Sequence, residues 1–182
     1  MLNTNITISV IIPCFENFSS FKRSFQSVLE QSCRPNEIVI ADSSKTDEIK
    51  KFIVDAPSII NGISIIYIHK NNMFPGKARN IGVENSNCNW IAFLDSKTYA
   101  NPNWLSSYKE LVLKNNYDVV FGSTKFINKK DQKISKLFLY STFGNKSHCT
   151  VPGTLMNKLY FKQNNFLENV RSGEDILWRQ KL

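Results

Sequence analysis

Trp90-Ile91-Ala92-Phe93-Leu94-Asp95-Ser96-Lys97-Thr98-Tyr99 is the stretch on which the reading of the fold turns. Four apolar residues, Ile91 to Leu94, run directly into an aspartate, with a lysine two positions later. A continuous apolar run bounded by polar residues fits a strand covered on both faces, as in a parallel sheet. Open sheets of that kind hold their ligand crevice just beyond the carboxyl ends of the strands. Asp95 would stand at such an end. An aspartate after a strand also suits a plain turn cap, and this stretch alone leaves both readings open.

Working outward, the same pattern recurs upstream. Thr7 to Ile12 is β-branched and apolar and runs into Pro13, a first buried strand. Phe18, Phe21, Phe25, Val28 and Leu29 then recur at helical steps until Cys33-Arg34-Pro35. Glu37 to Ala41 predicts a second strand ending at Asp42, and Thr46 offers a helix cap ahead of Asp47 and Glu48. Ile63 to Ile68 predicts a third strand, and Pro75-Gly76 opens a short helix through Ala78 and Ile81. Downstream, Asn101-Pro102 reads as a helix start, with Trp104, Leu105, Tyr108, Leu111 and Val112 as its buried face. Asp118 to Phe121 predicts another strand. Leu137 to Phe143 and Val151 to Phe161 read equally as strand or helix, and Glu174 to Leu182 as helix. Strands alternating with helices predict βαβ units and a mainly parallel sheet in one domain, residues 1–182.

The totals limit what such a domain does. A chain of 182 residues, 42% hydrophobic and 21% charged, supports one full core rather than a disordered segment. A net charge of +8 suggests an anionic partner, but the lysines are scattered, which argues against nucleic acid. Cys14, Cys33, Cys88 and Cys149 form no C-x-x-C pair and there are two histidines, so free thiols in a reducing cytosol are expected rather than a zinc site. No stretch reaches the roughly 18 to 20 apolar residues of a membrane span, and no signal peptide is apparent. A soluble, cytoplasmic catalytic or binding domain is expected, with peripheral association at anionic lipid left open.

Polar residues gather after the predicted strands: Glu16, Asp42 and Asp95. Neither G-x-G-x-x-G nor G-x-x-x-x-G-K-[ST] occurs, so the usual dinucleotide and P-loop sites lose their support. Phe74-Pro75-Gly76-Lys77-Ala78-Arg79-Asn80-Ile81-Gly82 opens a helix with free N–H groups beside Lys77 and Arg79, which suits a diphosphate. The alternative is a solvated basic helix face.

Ile8 to Pro13, Asp42, Gly76 to Gly82 and Phe93 to Asp95 together resemble the family 2 glycosyltransferases of the GT-A fold. The family pattern is a strand ending in Pro-x-Tyr-Asn, then Val-Asp-Asp-Gly-Ser, Gly-x-x-x-Ala-Arg-Asn-x-Gly, Phe-Leu-Asp-x-Asp and a late Gly-Glu-Asp. The last stands here as Gly173-Glu174-Asp175. The resemblance covers almost the whole chain in order. It implies an α/β, Rossmann-like sandwich and transfer of a sugar from a nucleotide-diphosphate sugar, a UDP-sugar in many members, to a hydroxyl with inversion. A glycan or glycolipid acceptor in cell-surface polysaccharide synthesis, at the inner face of the membrane, goes with it by family analogy.

Carried over by position, Pro13, Phe15, Glu16, Asp42, Gly76, Arg79, Asp95 and Lys97 would surround the nucleotide-sugar, with Asp42 accepting from the base and Arg79 near the nucleotide. Asp175 matches the general base, a role that a positioned carboxylate fills for a weakly nucleophilic hydroxyl. Glu174 and Trp178 would border the acceptor, Trp178 as an apolar platform or, equally, as a core residue.

The chain also departs from the pattern. Phe15-Glu16 replaces Tyr-Asn, Ala41 replaces the first Asp of Asp-Asp-Gly-Ser, and Lys97 replaces the second acid of Asp-x-Asp. The family carboxylate there binds Mg²⁺ or Mn²⁺, the resemblance sets Asp95 near the ribose or the metal, and an ammonium cannot ligate a cation. Lys97 would instead neutralise the diphosphate directly; alternatively it faces solvent and Glu16 serves the metal. The chain stops just past Asp175, so a C-terminally truncated catalytic domain is expected, and a non-catalytic nucleotide-sugar-binding module is the second reading.

Overall fold

The computed structural model describes residues 5–125 and 148–182. In order these form β1 (Ile8–Cys14), α1 (Phe18–Leu29), β2 (Glu37–Asp42), α2 (Glu48–Val54), β3 (Ile59–Ile60), β4 (Ile63–His69) and α3 (Pro75–Glu84). There follow β5 (Trp90–Phe93), α4 (Trp104–Asn115), β6 (Val119–Thr124), β7 (His148–Asn157), α5 (Lys158–Gln163) and α6 (Glu174–Arg179).

The strands make one seven-stranded sheet in the order β3-β4-β2-β1-β5-β7-β6. Its centre, β4-β2-β1-β5, is parallel, as the unbroken apolar runs require. Val10, Ile12, Ile38 and Ile40 face the side packed by Phe21, Phe25, Ile49 and Leu105. The alternate residues Ile11, Val39, Ile91 and Phe93 face the opposite side, with Val83, Phe161, Phe166 and Trp178. Both faces are therefore covered, giving an α/β/α sandwich. α3 lies so close on β1 that a Cβ at Gly82 would collide with Ile11.

Register brings the strand ends together. Cys14 pairs with Asp42, and Asp42 pairs with His69. The Leu94 N–H donates to the Ile11 carbonyl at 3.0 Å, so Asp95 emerges beside Pro13 at the same edge. A concavity of about 670 Å³ lies at the other end of the sheet, lined by Asn87, Trp90, Asn157 and Lys158. None of the candidate nucleotide, acceptor or catalytic residues stands there.

Several local expectations shift. The sheet is parallel only at its centre: β3–β4, β5–β7 and β7–β6 are antiparallel. Val151 to Phe161 divides into the end of β7 and the start of α5, with the Asn157 side chain accepting the Leu159 N–H at 2.9 Å. α4 starts at Trp104 rather than at Pro102, because Asn101 forms a turn first: its side chain accepts the Asn103 N–H at 3.0 Å. The helix is capped from a distance instead, by Gln31 Oε1, which accepts the Leu105 N–H at 3.1 Å. Leu111 is exposed, not part of the buried face. Thr46 caps nothing; Asp47 precedes α2, and the Thr46 hydroxyl donates to Glu16 at 3.4 Å. Leu137 to Phe143 lies outside the described residues. No helix among the described residues is long and apolar enough to cross a membrane.

Candidate active site at the strand ends

The β1–α1 turn is the first wall. Glu16 and Asn17 both take left-handed backbone conformations, with φ of 54° and 59°, a strain of about 1 kcal/mol or more each for such residues. Contacts across the crevice hold them. The Glu16 N–H donates to Ser44 Oγ at 2.8 Å, and the Glu16 carboxylate accepts the Lys45 N–H at 2.9 Å. Asn17 caps α1 by accepting the Ser20 N–H at 3.3 Å. The glutamate that departs from the family pattern is thus a brace between two loops. Phe15, on the same turn, is exposed, while Pro13 is half-buried at the end of β1.

Asp42 is fully buried, and both of its oxygens are engaged. Oδ1 accepts the Ser44 N–H and Oδ2 accepts the Tyr67 hydroxyl, each at 2.8 Å. Burial pushes the Tyr67 hydroxyl pKa well up, and the hydrogen bond to Asp42 and the charge of that carboxylate add to it, so Tyr67 remains a donor. A base approaching Asp42 would have to use its remaining lone pairs. Sequence reasoning missed Tyr67, which carries no local signal; its place opposite Asp42 follows only from strand pairing. Beneath this wall, burial pushes the Cys14 thiol up, and the Asp42 and Asp95 charges raise it further. Both aspartates are near enough to act on one buried thiol.

Arg79 is the centre of the site. It sits inside α3 with its side chain 5% exposed, donating through Nη2 to Asp95 Oδ1 and through Nη1 to Glu174 Oε1, both at 2.8 Å. Burial alone would lower the pKa, but the Asp95 charge and the hydrogen bonds to Asp95 and Glu174 raise it overall, so the cation is fixed. The guanidinium also lies 5.2 Å from the Phe166 ring centre. A solvated basic helix face therefore does not describe Arg79, and its charge is already shared by two carboxylates rather than free for a diphosphate. Its neighbour Asn80, also missed, holds the Phe166 backbone from both sides: its amide donates to the Phe166 carbonyl at 2.9 Å and its oxygen accepts the Phe166 N–H at 3.1 Å. Gly76 is where the first turn of α3 meets that segment, and a Cβ there would collide with the Leu167 carbonyl.

Asp175 follows Glu174 in the first turn of α6, half-buried and with no hydrogen bond from its side chain to any described residue. Trp178 offers no platform. It is 1% exposed, stacks on Phe166 with ring centres 4.4 Å apart, and donates its indole N–H to the Asn164 carbonyl. The reason is periodicity: four residues after the buried Glu174, it falls on the inward face of α6, which packs against Phe93 and Phe161.

The described residues offer a divalent cation one carboxylate at most. Asp95, 36% exposed, has one oxygen on Arg79, and Lys97 is an exposed ammonium without an ion pair among the described residues. Glu16 is turned to the 44–46 loop, and no three His, Cys, Asp or Glu side chains cluster among the described residues, so a cation here would rest on Asp95 and on phosphate oxygens of the substrate.

Comparison with known proteins gives one consistent result. The family model described as glycosyl transferase family 2 matches residues 9–173. An uncharacterized glycosyltransferase of Rickettsia conorii is 34% identical over 94% of this chain and 29% of its own length. One from Rickettsia bellii is 32% identical over 94% of this chain and 26% of its own. The chain thus spans less than a third of these relatives. Among solved structures, residues 1–349 of S. aureus TarS in complex with UDP-GlcNAc align over 97% of this chain and 53% of that one. The TM-score is 0.72 at 19% identity, which shows the GT-A fold.

Proposed function

The chain belongs to glycosyl transferase family 2, and from that premise we propose that it transfers a sugar from a nucleotide-diphosphate sugar, read as a UDP-sugar, to a hydroxyl of a glycan or glycolipid. The acceptor oxygen attacks the anomeric carbon, the bond from that carbon to the diphosphate breaks, and the proton passes to the Asp175 carboxylate. One such displacement inverts the anomeric centre. A place in surface-glycan synthesis at the cytoplasmic face of a membrane rests on family analogy alone.

The observation that carries this reading is the meeting of three distant motif residues. Arg79 holds Asp95 and Glu174 together, which supports reading Asp175, the next residue, as the base beside the strand-end crevice. Fold likeness to a protein seen with UDP-GlcNAc supports the donor class.

Because Lys97 stands where the family pattern has its second acid, we assign the leaving diphosphate to this lysine, exposed two positions beyond Asp95. An ammonium there offsets charge on the departing oxygen without a metal. Activity unchanged in EDTA is expected; activity abolished by EDTA and restored by Mn²⁺ would overturn the assignment. The same lysine is the one observation favouring a second reading, a binding module that has lost turnover. Calorimetric titration with UDP, with GDP and with short duplex DNA tests the donor class: nucleotide binding without DNA binding is expected, and the reverse rejects it.

A further inference from the structure

We infer that Arg79 is a positioning residue, a latch that fixes Asp175 through Glu174, and not a ligand of the nucleotide. The inference deepens the proposed function and rests on it for the role of Asp175.

Occupancy is the first argument. Each terminal nitrogen of the guanidinium already holds a carboxylate at 2.8 Å, Nη2 on Asp95 and Nη1 on Glu174. The Glu174 side is closed, with that side chain 6% exposed, whereas Asp95 is 36% exposed. A ligand entering the crevice meets the outer edge of Asp95 and not the arginine behind it.

The second argument is what holds α6. Six residues are too few for a helix to persist by itself. Gly173, ahead of it, has φ of 84° and supplies no side-chain cap. Its two ends are tied separately: Trp178 sits in the aromatic cluster with Phe93, Phe161 and Phe166, while Glu174 is tied by Arg79. The segment ahead of it stays attached to α3 through Asn80. Without Arg79 the Trp178 end remains docked and the first turn, which carries Asp175, is released. Asp95 anchors the same guanidinium to the end of β5, so the base is registered against the donor side of the crevice.

Arg79→Lys keeps a cation but cannot span both carboxylates with a planar fork. Hydrogen–deuterium exchange on the full chain should show the 173–177 stretch exchanging at least about tenfold faster at the Leu177 amide, which donates to the Gly173 carbonyl at 3.2 Å, because the local opening is no longer opposed. The residues around Phe166 should stay protected, and UDP affinity by calorimetry should stay within about threefold. Turnover should fall about 10²-fold, as expected for a reactive group displaced by an ångström, with donor KM little changed. In an Asp175→Asn background Arg79→Lys should cost nothing more, since both act through one carboxylate. Glu174→Gln, which keeps the shape and one hydrogen bond, is the second variant should Arg79→Lys fail to fold; it should loosen the same 173–177 stretch and spare UDP binding. UDP affinity weakened tenfold or more with 173–177 unchanged makes Arg79 a nucleotide ligand and overturns the inference, as does exchange unchanged in both variants. A wild-type protein without transferase activity would fail the proposed function, while the exchange data would still judge the latch.

Discussion

Replacing Trp178 separates a buried anchor from a sugar-binding platform. Among the described residues its ring has four aromatic neighbours, with Phe166 at 4.4 Å, Phe93 at 6.0 Å, Phe161 at 6.2 Å and Phe121 at 6.4 Å between centres. Truncating a buried Trp to Ala costs about 3–5 kcal/mol when the site cannot collapse. Here the cost has a ceiling, because α6 is short and can undock as a unit, exposing Phe166 and Phe161 but leaving the parallel centre of the sheet intact. We therefore expect about 3 kcal/mol, equivalent to roughly 6 to 12 °C in Tm for a domain of this size. Trp178→Phe keeps most of the ring contact and loses the indole N–H to the Asn164 carbonyl, for about 1–2 kcal/mol. Urea denaturation followed by far-UV circular dichroism measures both, and UDP titration of the folded variants should be unchanged. A Trp178→Ala protein destabilised by less than about 0.5 kcal/mol, within the range of an ordinary surface change, but with a raised acceptor KM, would refute the burial argument.

Gly82→Ala should cost about 1–3 kcal/mol in a thermal melt, because its methyl meets Ile11 of β1 with no room to give. Tyr67→Phe removes a donor from the buried Asp42 carboxylate, and a loss of about 1–3 kcal/mol in urea stability is expected, with weaker UDP binding as the functional sign. The Cys14 thiol is pushed up by burial and by Asp42 and Asp95, so the unfolded chain gives up its proton first. The stability this thiol contributes is full below the ordinary cysteine value of about 8.5 and is lost as pH rises above it toward the folded value. Denaturation midpoints should fall on that alkaline side, less steeply in Cys14→Ala, and the thiol should resist alkylation at neutral pH. Lys97→Ala should weaken UDP binding by about 1 kcal/mol, the scale of one exposed charge a few ångströms away, and more so at low ionic strength.

Short-range signals carried most of the fold. The apolar runs of β1, β2 and β5 and the stripe of α1 are local patterns, and local patterns are legible. The order of motifs pointed to Asp42, Arg79 and Asp95 at one edge of the sheet, where strand register and the Arg79–Asp95 ion pair bring them. What escaped depends on partners distant in the chain. Gln31 caps α4 from 74 residues away, so Asn101-Pro102 was the better local candidate and still the wrong start. Tyr67 meets Asp42 only because β4 pairs with β2, and nothing near either residue announces it. Arg79 read as a free cation because sequence cannot say that two carboxylates, 16 and 95 residues on, converge on it. The antiparallel flank formed by β6 and β7 escaped for the same reason, since pairing direction is set by connections rather than by composition.

The most direct test of the account is UDP release from a UDP-sugar in the presence of EDTA, wild type against Asp175→Asn. The account predicts release by the wild type without added metal, and a loss of about 10² to 10⁴-fold in the variant with UDP affinity retained, the scale of a general base. Equal release by the two proteins, or none by the wild type until Mn²⁺ is added, would contradict it.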